Sequence, residues 1–279
     1  MKTAHKIALA SVAYRAIHIA RAMTGRADRC IVKRDDVTFD LDLSQGIDFA
    51  IYLGIFEPGT RSALKELVKP SSVVLDIGAN IGVHTLLLAR LVGPSGRVLS
   101  FEPTEFAIQK LRRNLDLNRD LAKRVTPFHF FLASNDGADV PASIYSSWPL
   151  VEGEDLHAKH LGQPMPTNAA RARSIDGVLA ELGGPSVQLV KIDVDGFESE
   201  VLRGATALLR DSRPIFMMEL SPYVLAERGS SLEELVSFFV PNGYRFFHER
   251  TGRQLPSAVE ELRRMVGDGA SMNVVARAS

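Results

Sequence analysis

The chain has 279 residues, a length that suits one large domain or two small ones. With 46% hydrophobic and 24% charged residues the composition excludes wholesale disorder, and 33 basic against 33 acidic residues remove the electrostatic reason for nucleic acid as a main partner. The single cysteine, Cys30, can form neither an internal disulfide nor a thiolate zinc site. We therefore expect a cytoplasmic protein.

Residues 1–56 are predicted to form a small appendage made of a helix and a β-hairpin. No acidic residue precedes Asp28, and this basic opening is also found in targeting segments. We favour an amphipathic helix docked on its own domain, with peripheral contact to a membrane surface as the second placement. The apolar run is too short for a transmembrane span. The expected apolar stripe of the helix consists of Ile7, Val12 or Ala13, Ile17 and Ala20.

Residues 57–279 alternate apolar strands with helical segments. This alternation predicts an α/β fold with a seven-stranded, doubly wound, mostly parallel sheet, helices on both faces and a C-terminal antiparallel hairpin. Ligands bind such sheets beyond the carboxyl ends of the strands, where the strand order reverses. The predicted strands are residues 73–77, 97–101, 128–133, 187–193, 215–220, 244–248 and 272–276.

The stretch of residues 135–171 interrupts the alternation between the third and fourth strands. It is too long for an ordinary connection, so we expect a substrate cover in which Tyr145 and Trp148 shield the crevice. His157 and His160 could share a helix face toward a metal, but a third firm ligand is missing and no metal site is predicted. Magnesium held by strand-end carboxylates is neither supported nor excluded.

The turn after the first strand runs from Asp76 to Gly82 and has the form G-x-x-x-G. Its glycines allow a tight turn and close approach to a ligand, and the following helix start directs N–H groups at an anion. A nicotinamide site requires G-x-G-x-x-G, and Asp76 would repel a phosphate. The turn therefore favours a ligand that carries both an ammonium and a carboxylate group.

Glu102 lies at the tip of the second strand. A carboxylate there can accept hydrogen bonds from both hydroxyls of a ribose. Asp76 and Glu102 together indicate a nucleoside that carries an amino acid, which describes S-adenosylmethionine. The alternative is that Glu102 only caps the helix that begins near residue 105.

Several motifs occur in a fixed order, namely VLDIGANIG, FEP, RSIDGVL, KIDVDGFESEVLRGA, PIFMMEL and MNVV. Together they resemble the FkbM family of S-adenosylmethionine-dependent methyltransferases over residues 57–276, although Asp195 stands where the family more often has Glu. The resemblance implies a class I, Rossmann-like fold and methyl transfer to a hydroxyl oxygen of a small molecule or glycan. The implied cofactor contacts are Glu57, Asp76, Gly78, Ala79, Asn80, Gly82, Glu102, Pro103, Ser134, Asn135 and Asp193, with Ser134 and Asn135 near the adenine.

Methyl transfer from a sulfonium needs alignment and a group that takes the proton of the acceptor. Asp193, at the tip of the fourth strand, is the leading candidate for base or acceptor orienter, and Glu219 in the fifth strand is the second. His84 is a third candidate, against the alternative that it packs outward at a helix start.

Two other classes of function remain open at this point. A nucleotide-dependent oxidoreductase could share the sheet, although the missing third glycine and Asp76 argue against it. A non-catalytic cofactor-binding module would bind without turnover, and the combination of Asp76, Glu102 and Asp193 argues against that reading.

Overall fold

The computed structural model describes residues 3–146, 148–150, 162–267 and 269–279. The helices are α1 (Thr3–Met23), α2 (Gly46–Leu53), α3 (Pro58–Leu67), α4 (Val83–Leu91), α5 (Glu105–Leu117), α6 (Arg119–Ala122), α7 (Ile175–Glu181), α8 (Glu198–Arg203), α9 (Pro222–Glu227), α10 (Leu232–Phe239) and α11 (Val259–Val266). The strands are β1 (Arg29–Arg34), β2 (Val37–Asp42), β3 (Val73–Ile77), β4 (Arg97–Phe101), β5 (Val125–Phe128), β6 (Phe130–Leu132), β7 (Ser143–Tyr145), β8 (Pro164–Pro166), β9 (Arg171–Arg173), β10 (Val187–Ile192), β11 (Ile215–Leu220), β12 (Tyr244–His248) and β13 (Met272–Ala278).

A seven-stranded sheet organises the molecule, in the order β12-β13-β11-β10-β3-β4-β5. Its pairs are parallel except those of β13, which runs antiparallel to both β11 and β12. The chain builds outward from β3 through β4 to β5 and then crosses back to β10. The strand order therefore reverses between β3 and β10, and the predicted fold class is confirmed.

The third strand of the sheet differs from its predicted position at residues 128–133. The structure places β5 at Val125–Phe128, and after His129 the chain leaves the sheet to form β6, which pairs in parallel with β9. The apolar run continues across both strands, so hydrophobicity alone does not reveal where the chain departs. Pro127 has no N–H to donate, and it is tolerated because β5 is the edge strand.

Two further features concern the C-terminal half of the chain. α8 ends at Arg203, beside Gly204, where a Cβ would lie 2.1 Å from the carbonyl oxygen of Ala133. The final two strands pair in antiparallel fashion as expected, but α11 lies between them in the chain. β13 thus enters the sheet between β11 and β12 rather than at its edge.

The N-terminal elements pack on the helices that cover one face of the sheet. Phe39, Leu41 and Phe49 share one buried cluster with Ile108 and Leu111 of α5. α1 docks on this cluster as expected, through a ring contact of Tyr14 with Phe49 and a 2.7 Å hydrogen bond from the Tyr14 hydroxyl to Asp28. No helix within the described residues has the length and hydropathy needed to cross a membrane.

Candidate active site

A cavity opens at the carboxyl ends of β3, β4 and β10, where the strand order reverses. Gly78, Ala79 and Asn80 reach it from the turn after β3, and Glu102 and Pro103 reach it from the end of β4. Asp193 and Asp195 reach it from the end of β10, whereas Glu219 projects from β11 itself. The position is the one that the sheet topology predicts for a ligand.

The turn after β3 is joined directly to its neighbouring strands. Gly78 has a φ of +75°, and a Cβ there would lie 1.8 Å from the carbonyl oxygen of Asp193. The N–H groups of Gly78 and Ala79 both donate to the carbonyl oxygen of Phe101 at 3.0 Å. These two N–H groups therefore join the turn to β4. The expectation about an anionic ligand concerned the helix start instead, where the N–H of Ile81 donates to Asn80 Oδ1 at 2.8 Å.

Asp76 and Gly82 do not line this cavity. Asp76 is fully buried, where Oδ2 accepts a 2.6 Å hydrogen bond from Thr85 Oγ1 and Oδ1 lies 3.5 Å from Lys191 Nζ. Gly82 is needed for packing, since a Cβ would lie 2.4 Å from Leu111 Cδ1. Asp76 thus faces a cation of the protein itself, and the cofactor contact that the family resemblance implies for Asp76 and Gly82 does not follow from their placement.

Lys191 is a site residue that the sequence reasoning missed. Its side chain is buried, and its Nζ lies 3.3 Å from Asp193 Oδ2 and donates to the carbonyl oxygen of Gly78 at 3.3 Å. Burial alone would lower the pKa of Lys191, but the carboxylates of Asp193, Asp76 and Glu57 outweigh it and raise the pKa. The sequence holds a signal for this residue, because a lysine within an apolar strand requires a partner. The strand register supplies that partner by placing Lys191 opposite Asp76.

Glu102 links two turns beneath the cavity. It is 4% exposed, and Oε1 accepts hydrogen bonds from the N–H and hydroxyl groups of Thr104 at 3.0 and 2.6 Å. Oε2 accepts a hydrogen bond from the N–H of Asn80 at 2.9 Å. Burial raises the pKa of Glu102, and the hydrogen bonds from Thr104 and Asn80, which lower the pKa, offset only part of this effect. Thr104, rather than Glu102, caps α5. Oε1 already accepts two hydrogen bonds, whereas Oε2 accepts one and keeps a lone pair that can accept a hydrogen bond from a ligand.

His84 faces the cavity and pairs with Glu57. The imidazole is 5% exposed and its Nε2 lies 2.9 Å from Glu57 Oε2, so the alternative of outward packing is wrong. Burial would raise the pKa of Glu57, but His84 and Lys191 outweigh it and lower the pKa. Glu57 itself has a left-handed backbone, with φ of 38°, at the start of α3.

A second, polar cavity adjoins the first. Glu57, Lys191, Asp193 and Glu219 line both cavities, while Thr60, His248, Glu249, Ser271 and Asn273 line the second. Burial, together with the charge of Asp193, raises the pKa of Glu219 to about 7. The predicted catalytic carboxylates Asp193 and Glu219 therefore meet where the two cavities join.

The described part of the predicted cover contributes to the first cavity. Tyr145, Ser146 and Trp148 line it, and Asn80 Nδ2 donates to Ser146 Oγ at 3.3 Å. β7 and β8 give this part regular structure by pairing antiparallel. His157 and His160 lie outside the described residues.

Ser134 and Asn135, predicted near an adenine, do not line the cavity. The N–H of Ser134 donates to Glu200 Oε1 at 3.0 Å, and Asn135 bonds to Ser134 and Gly137. The chain reaches this point through β6, outside the main sheet, so Phe130 and Phe131 line the cavity instead.

A family model described as the methyltransferase FkbM domain matches residues 76–246. The chain belongs to the FkbM methyltransferase family. Among curated relatives, methyltransferase sdnD of Sordaria araneosa is 30% identical over 157 residues, covering 47% of this chain and 59% of the relative. Hexuronic acid methyltransferase AglP of Haloferax volcanii is 29% identical over 149 residues, covering 53% of this chain and 55% of the relative. 2-O-methyltransferase NoeI of Sinorhizobium fredii is 27% identical over 168 residues, covering 56% of this chain and 66% of the relative.

This FkbM-family chain thus spans less than two thirds of the length of these relatives. A solved structure, methyltransferase FkbM of Methylobacillus flagellatus, is 16% identical with a TM-score of 0.44, and the match covers 83% of this chain and 54% of that one. A TM-score this low carries no functional inference, and the fold assignment rests on the sheet described above.

The matched FkbM domain accounts for only part of the site. Residues of the first cavity from Gly78 to Glu219 fall within the matched range. Glu57 precedes the range, and His248, Glu249 and Asn273 follow it. The second cavity therefore combines family-domain carboxylates with side chains from both flanks of the domain.

Proposed function

We propose that this chain transfers a methyl group from S-adenosylmethionine to a hydroxyl oxygen of a glycan or other small-molecule acceptor. The observation that carries the proposal is the junction of the two cavities, where Asp193 and Glu219 contact both spaces. One cavity holds the donor, the other holds the acceptor, and the carboxylates stand between them.

The residues of the first cavity fit the cofactor. Glu102 would accept a hydrogen bond from a ribose hydroxyl through Oε2, and Phe131 and Pro103 would supply apolar surface for the adenine. Glu57, Asp193 and Glu219 bring negative charge, which suits a ligand that carries an ammonium and a sulfonium group. When bound, the sulfonium supplies a methyl carbon that is already activated toward nucleophiles.

Asp193 and Glu219 have different roles toward the acceptor: Asp193 orients it and Glu219 takes up its proton. Asp193 is held beside Lys191 Nζ at 3.3 Å, so it accepts a hydrogen bond from the acceptor hydroxyl and orients it. Glu219 has a pKa of about 7, which suits a group that takes up a proton near neutral pH. This assignment exchanges the base role between the two carboxylates relative to the sequence-based preference for Asp193.

The polar lining of the second cavity favours an acceptor with several hydroxyl groups. Carboxylate, amide and hydroxyl groups of Glu249, Asn273, Thr60 and Ser271 offer hydrogen-bond partners there. Two matched relatives carry the names hexuronic acid methyltransferase and 2-O-methyltransferase, which agree with a sugar acceptor.

Methyl-labelled S-adenosylmethionine tests the reaction directly. The full chain is incubated with label and a panel of neutral sugars, uronic acids and non-sugar alcohols, and label is expected in a sugar hydroxyl. Label in a nitrogen-bearing acceptor alone, or binding of nicotinamide dinucleotides in preference to S-adenosylmethionine, would overturn the proposal.

Calorimetry with Glu102→Ala tests whether the first cavity binds the cofactor. Loss of hydrogen bonds to a charged group should weaken S-adenosylmethionine binding at least about tenfold. Glu105→Ala is the matched control, since Glu105 follows the same strand but does not line the cavity. Equal cofactor affinity in both variants would remove Glu102 from the cofactor site.

A further inference from the structure

An apolar stripe covers the outward face of α1. Leu9 is 66% exposed, Val12 67%, Ile19 60% and Met23 83%, and Ala16 is exposed between them. These positions recur at alternating steps of three and four residues, which places them in one row along the helix. The row therefore forms a continuous apolar surface, here called the outer stripe.

The outer stripe is separate from the face that docks the helix. Ala10, Ala13, Tyr14 and Ile17 pack on the cluster around Phe49. Of the stripe expected from the sequence, Val12 and Ala20 face away from the domain. The helix is thus apolar on two faces, and its attachment to the domain uses only one of them.

The charges around the outer stripe indicate what covers it. Arg15 and Arg26 are exposed in this part of the chain, and the sequence has no acidic residue before Asp28. Arg15 is exposed and lies on the helix between Val12 and Ile19 in sequence, whereas Arg21 is engaged with the carbonyl oxygen of Ala27. A surface with an apolar stripe and positive charge complements an anionic lipid layer.

A second copy of this chain fits the outer stripe less well. Pairing two such helices would bring the same basic segments together, and like charges across an interface are unfavourable. α1 is not apolar enough over its length to span the bilayer. A helix with these properties lies in the plane of the membrane interface.

We propose that α1 binds an anionic phospholipid surface through the outer stripe while its opposite face stays docked on the domain. Leu9, Val12, Ile19 and Met23 enter the boundary between headgroups and acyl chains, and Arg15 and Arg26 contact the lipid phosphates. This proposal is independent of the acceptor and of the methyl-transfer assignment.

Vesicle sedimentation with the full chain tests the proposal. The chain should bind vesicles of phosphatidylcholine mixed with phosphatidylglycerol and bind pure phosphatidylcholine weakly, with binding reduced by salt. The double variant Val12→Gln/Ile19→Gln should bind the mixed vesicles at least about tenfold more weakly, since each lost apolar contact lowers the affinity. Glutamine forms helix at least as well as Val and Ile, so α1 should remain folded.

Met265→Gln is the matched control, because Met265 is 48% exposed on α11 and lies far from α1 in the chain. It should bind mixed vesicles like the unchanged chain, and thermal unfolding should be the same for all three proteins. Equal vesicle binding by the double variant and the control would overturn the proposal. So would sedimentation equilibrium that shows a dimer dissociated by Val12→Gln/Ile19→Gln without any vesicle binding of the unchanged chain.

Discussion

Lys191 is the cation that allows two carboxylates to approach at the tips of β3 and β10. Asp76 is fully buried and Asp193 half-buried, and both lie within 3.5 Å of Nζ. A buried charge without its partner is costly, whereas an exposed pair contributes little. The side chain that the sequence reasoning missed is therefore central to the electrostatics of the site.

Lys191→Met should lower the free energy of unfolding by about 3–5 kcal/mol, because it leaves Asp76 buried and uncompensated. Urea unfolding measures the change. Lys123→Met is the control, since it breaks a solvent-exposed pair with Asp120 and should leave the stability nearly unchanged. Equal effects of the two substitutions would show that Asp76 does not depend on Lys191.

Protonation of Glu219 should make the rate of methyl transfer depend on pH. Burial and the charge of Asp193 raise its pKa to about 7, so the proton-accepting form accumulates as pH rises through this value. The methyl-transfer rate should rise with pH and level off above about 7. Glu219→Gln should remove this rise and lower turnover by about 10² to 10⁴.

Asp193→Asn provides the comparison for Glu219→Gln. It removes the carboxylate that we propose orients the acceptor but leaves Glu219, so turnover should fall while a rate that rises with pH persists. An unchanged pH profile in Glu219→Gln, combined with its loss in Asp193→Asn, would return the base role to Asp193.

At the scale of single elements, the glycine turn before α4 shows what a sequence pattern can and cannot reveal. The pattern predicted the strand β3, the turn and the helix, because Gly78 and Gly82 both need positive φ. It did not predict that Asp76 and Gly82 point away from the cavity, since that depends on the strand pleat and on contacts with α5. Ser134 and Asn135 were predicted near the adenine but do not line the cavity, because the chain leaves the sheet after β5.

Gly82→Ala tests the packing of this turn. The new Cβ would meet Leu111 Cδ1 at 2.4 Å with φ at +92°. Gly54→Ala is the control, because Gly54 has φ of +74° with nothing within 4 Å of a Cβ. Gly82→Ala should cost about 1–3 kcal/mol more than the control in chemical denaturation. Equal costs would mean that backbone strain alone explains the requirement for glycine.

At the scale of the whole molecule, the alternation of strands and helices was sufficient to predict the sheet. The buried strands read as apolar runs, and right-handed crossovers restrict how such runs connect. The second cavity could not be predicted in this way. Glu57 and Asn273 lie at opposite ends of the family domain, and only the completed sheet, with β13 inserted between β11 and β12, brings them together.

The described cover should respond to ligand. Tyr145, Ser146 and Trp148 line the first cavity, so binding of the demethylated cofactor product should slow backbone hydrogen exchange around residues 143–150. Residues 232–239 of α10 serve as the reference, because none of them lines this cavity. Equal exchange in residues 143–150 with and without ligand, together with full activity after the segment is shortened, would contradict a covering role.

The division of the site between the matched domain and its flanks has a consequence for how such proteins diversify. Gly78 lies so close to the backbone of Asp193 that no side chain fits at that position beside the first cavity. Glu57, Thr60, His248 and Asn273 lie on segments outside residues 76–246, where substitution leaves that contact intact. Chimeras that exchange these flanking segments between relatives would therefore test whether the second cavity selects the proposed acceptor.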